Sequence, residues 1–416
     1  RSEKISGAGR VALRRFGDWG RNMKITNIRV THVNVPFDAP FWWTAGLYGG
    51  ASKSIIEVET DDGVVGLGEA PWWHFGEVIE KEIAPALIGA DPLDLADCES
   101  RCVPPYQITA NTGENAASVA FGAVEIALWD IRGKVFDMPI YKLLGGAVRT
   151  EIPFTEYFSF RPKNGDAGGE MSPEAIVDYC LKMREEHGST YFEGKLILGD
   201  PHLELETVRA LRSALGDRDM IRLDSNMQYS LTTARWLLRE LEPLNIRNYE
   251  DPVATFEEMA ELRRHTFIPF STHVPDLRRA VQLGAPDHFV CNLAALGGLA
   301  KAIKFVDACE AMGKGFWCYS NDLGIMTAAY LHLTAAHPHI TEPAQSLFRW
   351  QVGDVIKEGP FRQTNNVVKV PDGPGLGVAL DPSAMANCSA HFSEHGPISH
   401  FSHPDKPGRF VRLPLN

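Results

Sequence analysis

Three runs decide the fold: YFEGKLILGD (191–200), MIRLDSN (220–226) and IRNYEDP (246–252). Each is short and apolar, and each delivers a charged residue at or near its end: Lys195, Asp224 and Glu250. The segments between them, HLELETVRALRSALG and LTTARWLLRELEPL, carry apolar residues at helical spacing. Strands alternating with helices predict a parallel sheet. In a closed parallel barrel the C-terminal strand ends converge on one mouth, where the chemistry sits. A lysine and two carboxylates brought there suit a divalent cation that holds an oxyanion.

The same rhythm extends in both directions. EIPFTEYFSF (151–160) precedes the three runs, and IPFSTH (268–273), HFVCNL (288–293), GFWCYS (315–320) and HITEP (339–343) follow them. All but the last lead into a helical pattern, so the expected fold is α/β: a modified (β/α)7β parallel barrel over 150–345. Before it, MKITNIRVTHV and SIIEVETDDGVVGLGEAP read as strands, the second split by an Asp-Asp-Gly turn. PFDAPFWWTAGLYGG (36–50) reads as an aromatic loop between them. Residues 76–147 then turn helical, with AASVAFGAVEIALWDIRGKVFDM as a buried helix. An α+β capping domain is therefore expected over 23–149, completed by a C-terminal segment, 346–416, that packs on the cap. Residues 1–22 hold six basic and two acidic residues. They read as an extension upstream of a start at Met23 or an expression remnant, with a transit peptide as the alternative.

Composition bounds the function. The chain has 416 residues, is 44% hydrophobic and 23% charged, and carries a net charge of −12. That charge argues against a nucleic-acid surface, and an acidic ligand would need a local cation to overcome it. The seven cysteines form no tight metal pattern, and their odd count fits a reducing cytoplasm. No apolar run approaches the ~18 residues of a membrane span. A cytoplasmic homo-oligomer acting on a small-molecule carboxylate, with no nucleic acid and no membrane, is the expectation.

DDGVVGLGEAP, VEIALWDIRGKVFDMPIYKLLGG, LDSN, YEDP, GGLAKAIKFVDACEAMG and PDGPGLGV, in this order and spacing, resemble the enolase superfamily. The likeness is to its mandelate racemase and glucarate dehydratase branch, and it covers nearly everything after Met23. The resemblance implies a cation held at the ends of the third, fourth and fifth strands, by Asp224, Glu250 and His273. The relatives carry a carboxylate or an asparagine at the third position. Histidine nitrogen is softer than the oxygen Mg2+ prefers; Mg2+ is expected, with another divalent cation left open. Lys195 matches the first lysine of the family's Lys-x-Lys pair, and Ile197 replaces the second. The family's His–Asp dyad is replaced by Tyr319 and Asn292. Tyr48 and Tyr157 fall where relatives contact substrate, and Asn226 is most like the glucarate dehydratase side.

Each residue has a plainer reading. Asp224 and Glu250 could be salt-bridge carboxylates, and Lys195 a partner for Glu193 on its own strand face rather than a base. His273 could cap a helix instead of holding a metal. Tyr319 and Asn292 are candidates to assist a leaving hydroxyl or bind one; a packed tyrosine is the alternative. Phe41, Trp42, Trp43, Trp72 and Trp73 read as a lid or as core between the domains, with Trp43 a candidate substrate contact. Arg161 and Lys163 are candidate carboxylate contacts, Glu342 could face the mouth, and Cys318 should point away from it. The favoured function is a metal-dependent lyase, dehydrating an acid sugar or related hydroxy acid by proton abstraction next to a carboxylate. A racemase or epimerase on the same scaffold, and a non-catalytic ligand-binding descendant, are the alternatives.

Overall fold

The computed structural model describes residues 23–104, 114–319, 321–398, 406, 409, 410 and 412–414. The expectation for 1–22 lies outside them. The chain opens with an antiparallel sheet of β1 (Ile25–Trp43), β2 (Gly46–Thr60) and β3 (Val65–Ala70). The stretch read as an aromatic loop is not a loop. β1 and β2 stay paired through Phe41↔Tyr48 and Trp42↔Leu47 to Trp43↔Gly46, so the aromatics form the arm of a long hairpin. Pro36 and Pro40 lie within this arm, and the ladder absorbs them at an irregularity between Pro36 and Phe41.

The helix Glu114–Val135 lies against β3. Gly66 and Gly68 let it approach, because a Cβ at either would stand 2.1 Å from Ala127 O or 2.3 Å from Ala123 O. The cap then grips the barrel with two buried carboxylates. Glu69 accepts from the backbone N–H of Leu323 (2.7 Å) and Met326 (3.0 Å), at the start of the helix Gly324–Ala336. Glu125 accepts from Leu299 (2.7 Å) and Ala300 (3.1 Å), at the start of the helix Leu299–Ala311, and from Trp129 Nε1 (2.7 Å). Carboxylates satisfy the unpaired amides of a helix start and its dipole together.

EIPFTEYFSF divides into β4 (Glu151–Pro153) and β5 (Glu156–Ser159). β5 begins a parallel sheet continued in order by β6 (Tyr191–Lys195), β7 (Met220–Asp224), β8 (Asn248–Glu250), β9 (Phe270–Thr272), β10 (His288–Cys291) and β11 (Gly315–Cys318). HITEP does not form an eighth strand. Pro338 and Pro343 remove ladder donors, and closure falls to single residues. Thr155 N donates to Ala344 O at 2.9 Å, and Gln345 N to Cys318 O at 3.2 Å. β4 pairs instead with β12 (Val367–Lys369), antiparallel. The C-terminal helix Pro382–His395 packs on β1, where Asn34 Nδ2 donates to Gly396 O at 2.8 Å. Among the described residues, no helix is long and apolar enough to cross a membrane.

Candidate active site

The C-terminal ends of β6, β7, β8 and the residue after β9 place Lys195, Asp224, Glu250 and His273 together. The last three offer ligand atoms that all lie within 4.8 Å of one another. Local structure aims each of them. Asn226 adopts a positive φ of 42°, which asparagine tolerates. From there its N–H donates to Asp224 Oδ1 at 2.8 Å and its Nδ2 to Oδ2 at 3.2 Å. Gln345 Nε2 donates to Glu250 Oε2 and to Glu193 Oε1, both at 2.6 Å. His273 Nδ1 meets Val290 O at 2.8 Å, and its Nε2 lies 2.6 Å from Glu250 Oε1. With Nδ1 donating to the carbonyl, a neutral ring carries its lone pair on Nε2, facing the carboxylates. Two hard carboxylates and one such nitrogen fit a divalent cation, and Asn226 Oδ1 beside them is buried without a hydrogen-bond partner.

The electrostatics follow from burial and pairing. Burial would raise the Glu250 carboxyl, but His273, Lys195 and Arg222 hold it below the usual range. Burial works to lower His273, yet Glu250 and Asp251 lift it to about 9. Burial draws Lys195 down to about 8, against the pull of Glu250, Glu193 and Asp251. Its Nζ contacts Asp224 Oδ2. Glu193 is not its partner. Arg222 Nη2 takes Glu193 Oε2 at 2.7 Å, while the guanidinium stacks on Trp317 at 4.4 Å.

A cavity of about 480 Å³ opens above these groups. Trp43, Tyr48, Tyr157, Asn226, Asn292 and Tyr319 all line it, with Lys195 and His273. The aromatic hairpin therefore sits over the strand ends. Phe41 and Tyr48 pack at 5.5 Å between ring centroids and Trp43 and Tyr48 at 5.6 Å, in an apolar cluster that also holds Tyr157 and Trp350. Tyr319 is pushed well above its ordinary value by burial, and its ring meets His273 edge-on at 5.2 Å. Asn292 is committed on both sides of its amide: Nδ2 donates to Asp322 Oδ2 at 2.8 Å and Oδ1 accepts from Ala295 N at 3.1 Å.

Other candidates fall away from the cavity. Arg161 is buried on the Trp350 ring at 4.4 Å and pairs with Asp38. Glu342 pairs with Arg247, just ahead of β8, at the opposite end of the barrel. Cys318 faces Thr334 Oγ1 at 3.7 Å. Sequence reasoning missed Gln345, and it missed the support behind Asn292. Asp322 accepts from Lys53 Nζ at 2.5 Å and from Tyr330, and Asn321 Nδ2 donates to Tyr48 OH at 2.8 Å. The only signal was that NDLG lies just past a strand end.

Comparison with known proteins agrees with this geometry. Residues 25–145 match the mandelate racemase / muconate lactonizing enzyme N-terminal domain, and 175–384 match the enolase C-terminal domain-like family. A probable glucarate dehydratase of Streptomyces coelicolor is 29% identical over 88% of this chain and 91% of its own. A chloromuconate cycloisomerase of Pseudomonas sp. is 28% identical over 86% of this chain and 97% of its own. The crystal structure of an enolase from Pseudomonas fluorescens, with bound magnesium, potassium and tartrate, superposes with a TM-score of 0.84 at 28% identity, over 95% of this chain and 100% of that one. With a cap sheet, a parallel barrel and both domain models matched in order along its length, the chain belongs to the enolase superfamily, in its mandelate racemase and muconate lactonizing enzyme-like part.

Proposed function

We propose that the chain is a magnesium-dependent lyase that removes the proton next to a carboxylate and expels a hydroxyl from the neighbouring carbon. The observation that carries this reading is the convergence of Asp224, Glu250 and His273 with Lys195 beside them. These three side chains would hold the cation, which when bound polarises the substrate carboxylate and offsets the charge that grows as the proton leaves. The P. fluorescens enolase was crystallised with bound magnesium and potassium.

The remaining work falls to the chain's own groups. Were Asp224 to ligate a cation, its contact with Lys195 Nζ would be given up. The value of about 8 for Lys195 lets it exist as an amine near neutral pH and accept the proton at Nζ. The electron pair left on carbon forms the new double bond as the neighbouring C–O bond breaks. The hydroxyl departs as water, carrying the proton that Lys195 took. Tyr319 stays protonated through burial, the state in which it donates a hydrogen bond to that oxygen. The hairpin aromatics exclude competing water. A two-base racemase is the weaker reading. Apart from Lys195 and His273, the polar side chains lining the cavity among the described residues are asparagines, tyrosines, two indoles and the Cys291 thiol, which burial pushes well above its ordinary value; none is a base at neutral pH.

The test is solvent deuterium exchange at the carbon next to the carboxylate, with turnover, across a panel of hydroxy acids and acid sugars. Lys195→Met is expected to remove both while magnesium stays bound. Full exchange in that variant would assign the base elsewhere. No exchange of any acid by the wild type would favour a non-catalytic descendant.

A further inference from the structure

The cavity is unequal from end to end. All of its charge lies at the strand ends: among the described lining residues only Lys195 and His273 can be cationic. Lys53, 5.7 Å from the Trp72 ring, is paired with Asp322 at 2.5 Å, and Arg161 is paired with Asp38. Away from the strand ends the wall is Phe41, Trp72, Phe75, Val119, Leu296 and Leu347. The other polar side chains on the wall are the amides of Asn226, Asn292 and Asn321, the phenols of Tyr48, Tyr157 and Tyr319, and the Trp43 indole. Asn292 is committed at both ends of its amide. Asn321 Oδ1 is buried with no partner, and Tyr319 lines the cavity close by. That inventory serves one carboxylate and a few hydroxyls, and among the described residues it adds no cation to Lys195 and His273.

From this we infer that the acid taken by this site is a monocarboxylate with an apolar body, aromatic or branched aliphatic, and not a polyhydroxylated or dicarboxylic sugar acid. The inference rests on the proposed reaction for the orientation of the ligand, carboxylate toward the strand ends. A second carboxylate seated against Phe75, Val119 and Leu296 would meet no cation among the described residues, and hydroxyls seated on those side chains would give up water for no hydrogen bond. An aromatic or branched chain in the same place gains by burial and by stacking on Trp72 and Phe41. A volume of about 480 Å³ holds such a body in addition to the hydroxy-acid head.

The experiment is isothermal titration of the full chain, loaded with magnesium, using 2-hydroxy-3-phenylpropanoate, D-gluconate and D-glucarate. The phenyl acid is expected to bind at least ~10-fold tighter than either sugar acid. Equal or tighter binding of gluconate or glucarate overturns the inference. Asp224→Ala is expected to remove phenyl-acid binding; if binding survives, the apolar contact lies elsewhere and the inference falls. Deuterium exchange with 2,3-dihydroxy-3-phenylpropanoate and with the two sugar acids separates this inference from the proposed reaction. A phenyl preference in binding with no exchange of any acid upholds the apolar site and removes the lyase reading. Lys195-dependent exchange confined to the sugar acids upholds the lyase reading and overturns the apolar site.

Discussion

Magnesium and a proton should compete for His273. Without the cation, Glu250 holds the imidazole at about 9, so below that pH Nε2 carries a proton that a metal must displace. At pH 7 the neutral, ligating form is roughly one part in a hundred, and each further unit of acid removes another factor of ten, about 1.4 kcal/mol of apparent affinity. Magnesium affinity should therefore climb ~10-fold per pH unit from 6 to 8 and flatten above about 9. Lys195, at about 8, is a second proton in the same neighbourhood. In the Lys195→Met background the slope belongs to His273 alone. Isothermal titration of that variant with MgCl2 at pH 6, 7 and 8, in buffers of different ionisation enthalpy, reads both the affinity and the protons released. One proton per magnesium and a ~100-fold gain over the two units are expected. Replacing His273 with asparagine on the same background should abolish the slope and keep or strengthen binding at pH 7. Affinity that stays within twofold across the range, with no proton release, would show that His273 does not ligate the ion.

Asp224→Ala removes one of two hard oxygen ligands, and elemental analysis after dialysis against millimolar magnesium should find no retained metal; undiminished content would reject the ligand assignment. Glu125→Ala leaves the amides of Leu299 and Ala300 and the Trp129 indole N–H without their acceptor. Urea unfolding should report a loss of ~2–5 kcal/mol, much smaller for Glu125→Gln, and equal losses would contradict the capping role. Ligand entering the cavity should quench tryptophan fluorescence, with the signal reduced in Trp43→Phe; a hairpin remote from the ligand would leave both spectra unchanged.

The barrel was legible because its strands are short, apolar and separated by helical patterns, and because three of them end in Lys195, Asp224 and Glu250. The eighth strand was misread because HITEP has strand-like residues, while Pro338 and Pro343 leave only Ala344 and Gln345 to bond with the neighbours. The hairpin arm was misread for the opposite reason. Its aromatics and glycines read as a loop, but the irregularity near Pro36 lets pairing resume at Phe41. The ligand set could be named from strand ends, yet what aims it could not. Gln345 joins Glu193 to Glu250 from a segment that is no strand at all. Lys53 reaches Asp322 across 269 positions, a pairing that no local pattern contains. Glu193 and Lys195 do share a strand face, but Arg222 on the adjacent strand takes the first and Asp224 takes the second.

The two carboxylates by which the cap holds the barrel bear on how separable the parts are. Glu69 and Glu125 complete the starts of two barrel helices that no side chain of their own N-cap residues, Leu323 and Gly298, completes. A barrel expressed without its cap would keep those helix starts with their amides unpaired. Unfolding should therefore proceed as one transition rather than as two modules, and a chimaera that borrows a cap from a relative would need a carboxylate at both positions to remain a single cooperative unit.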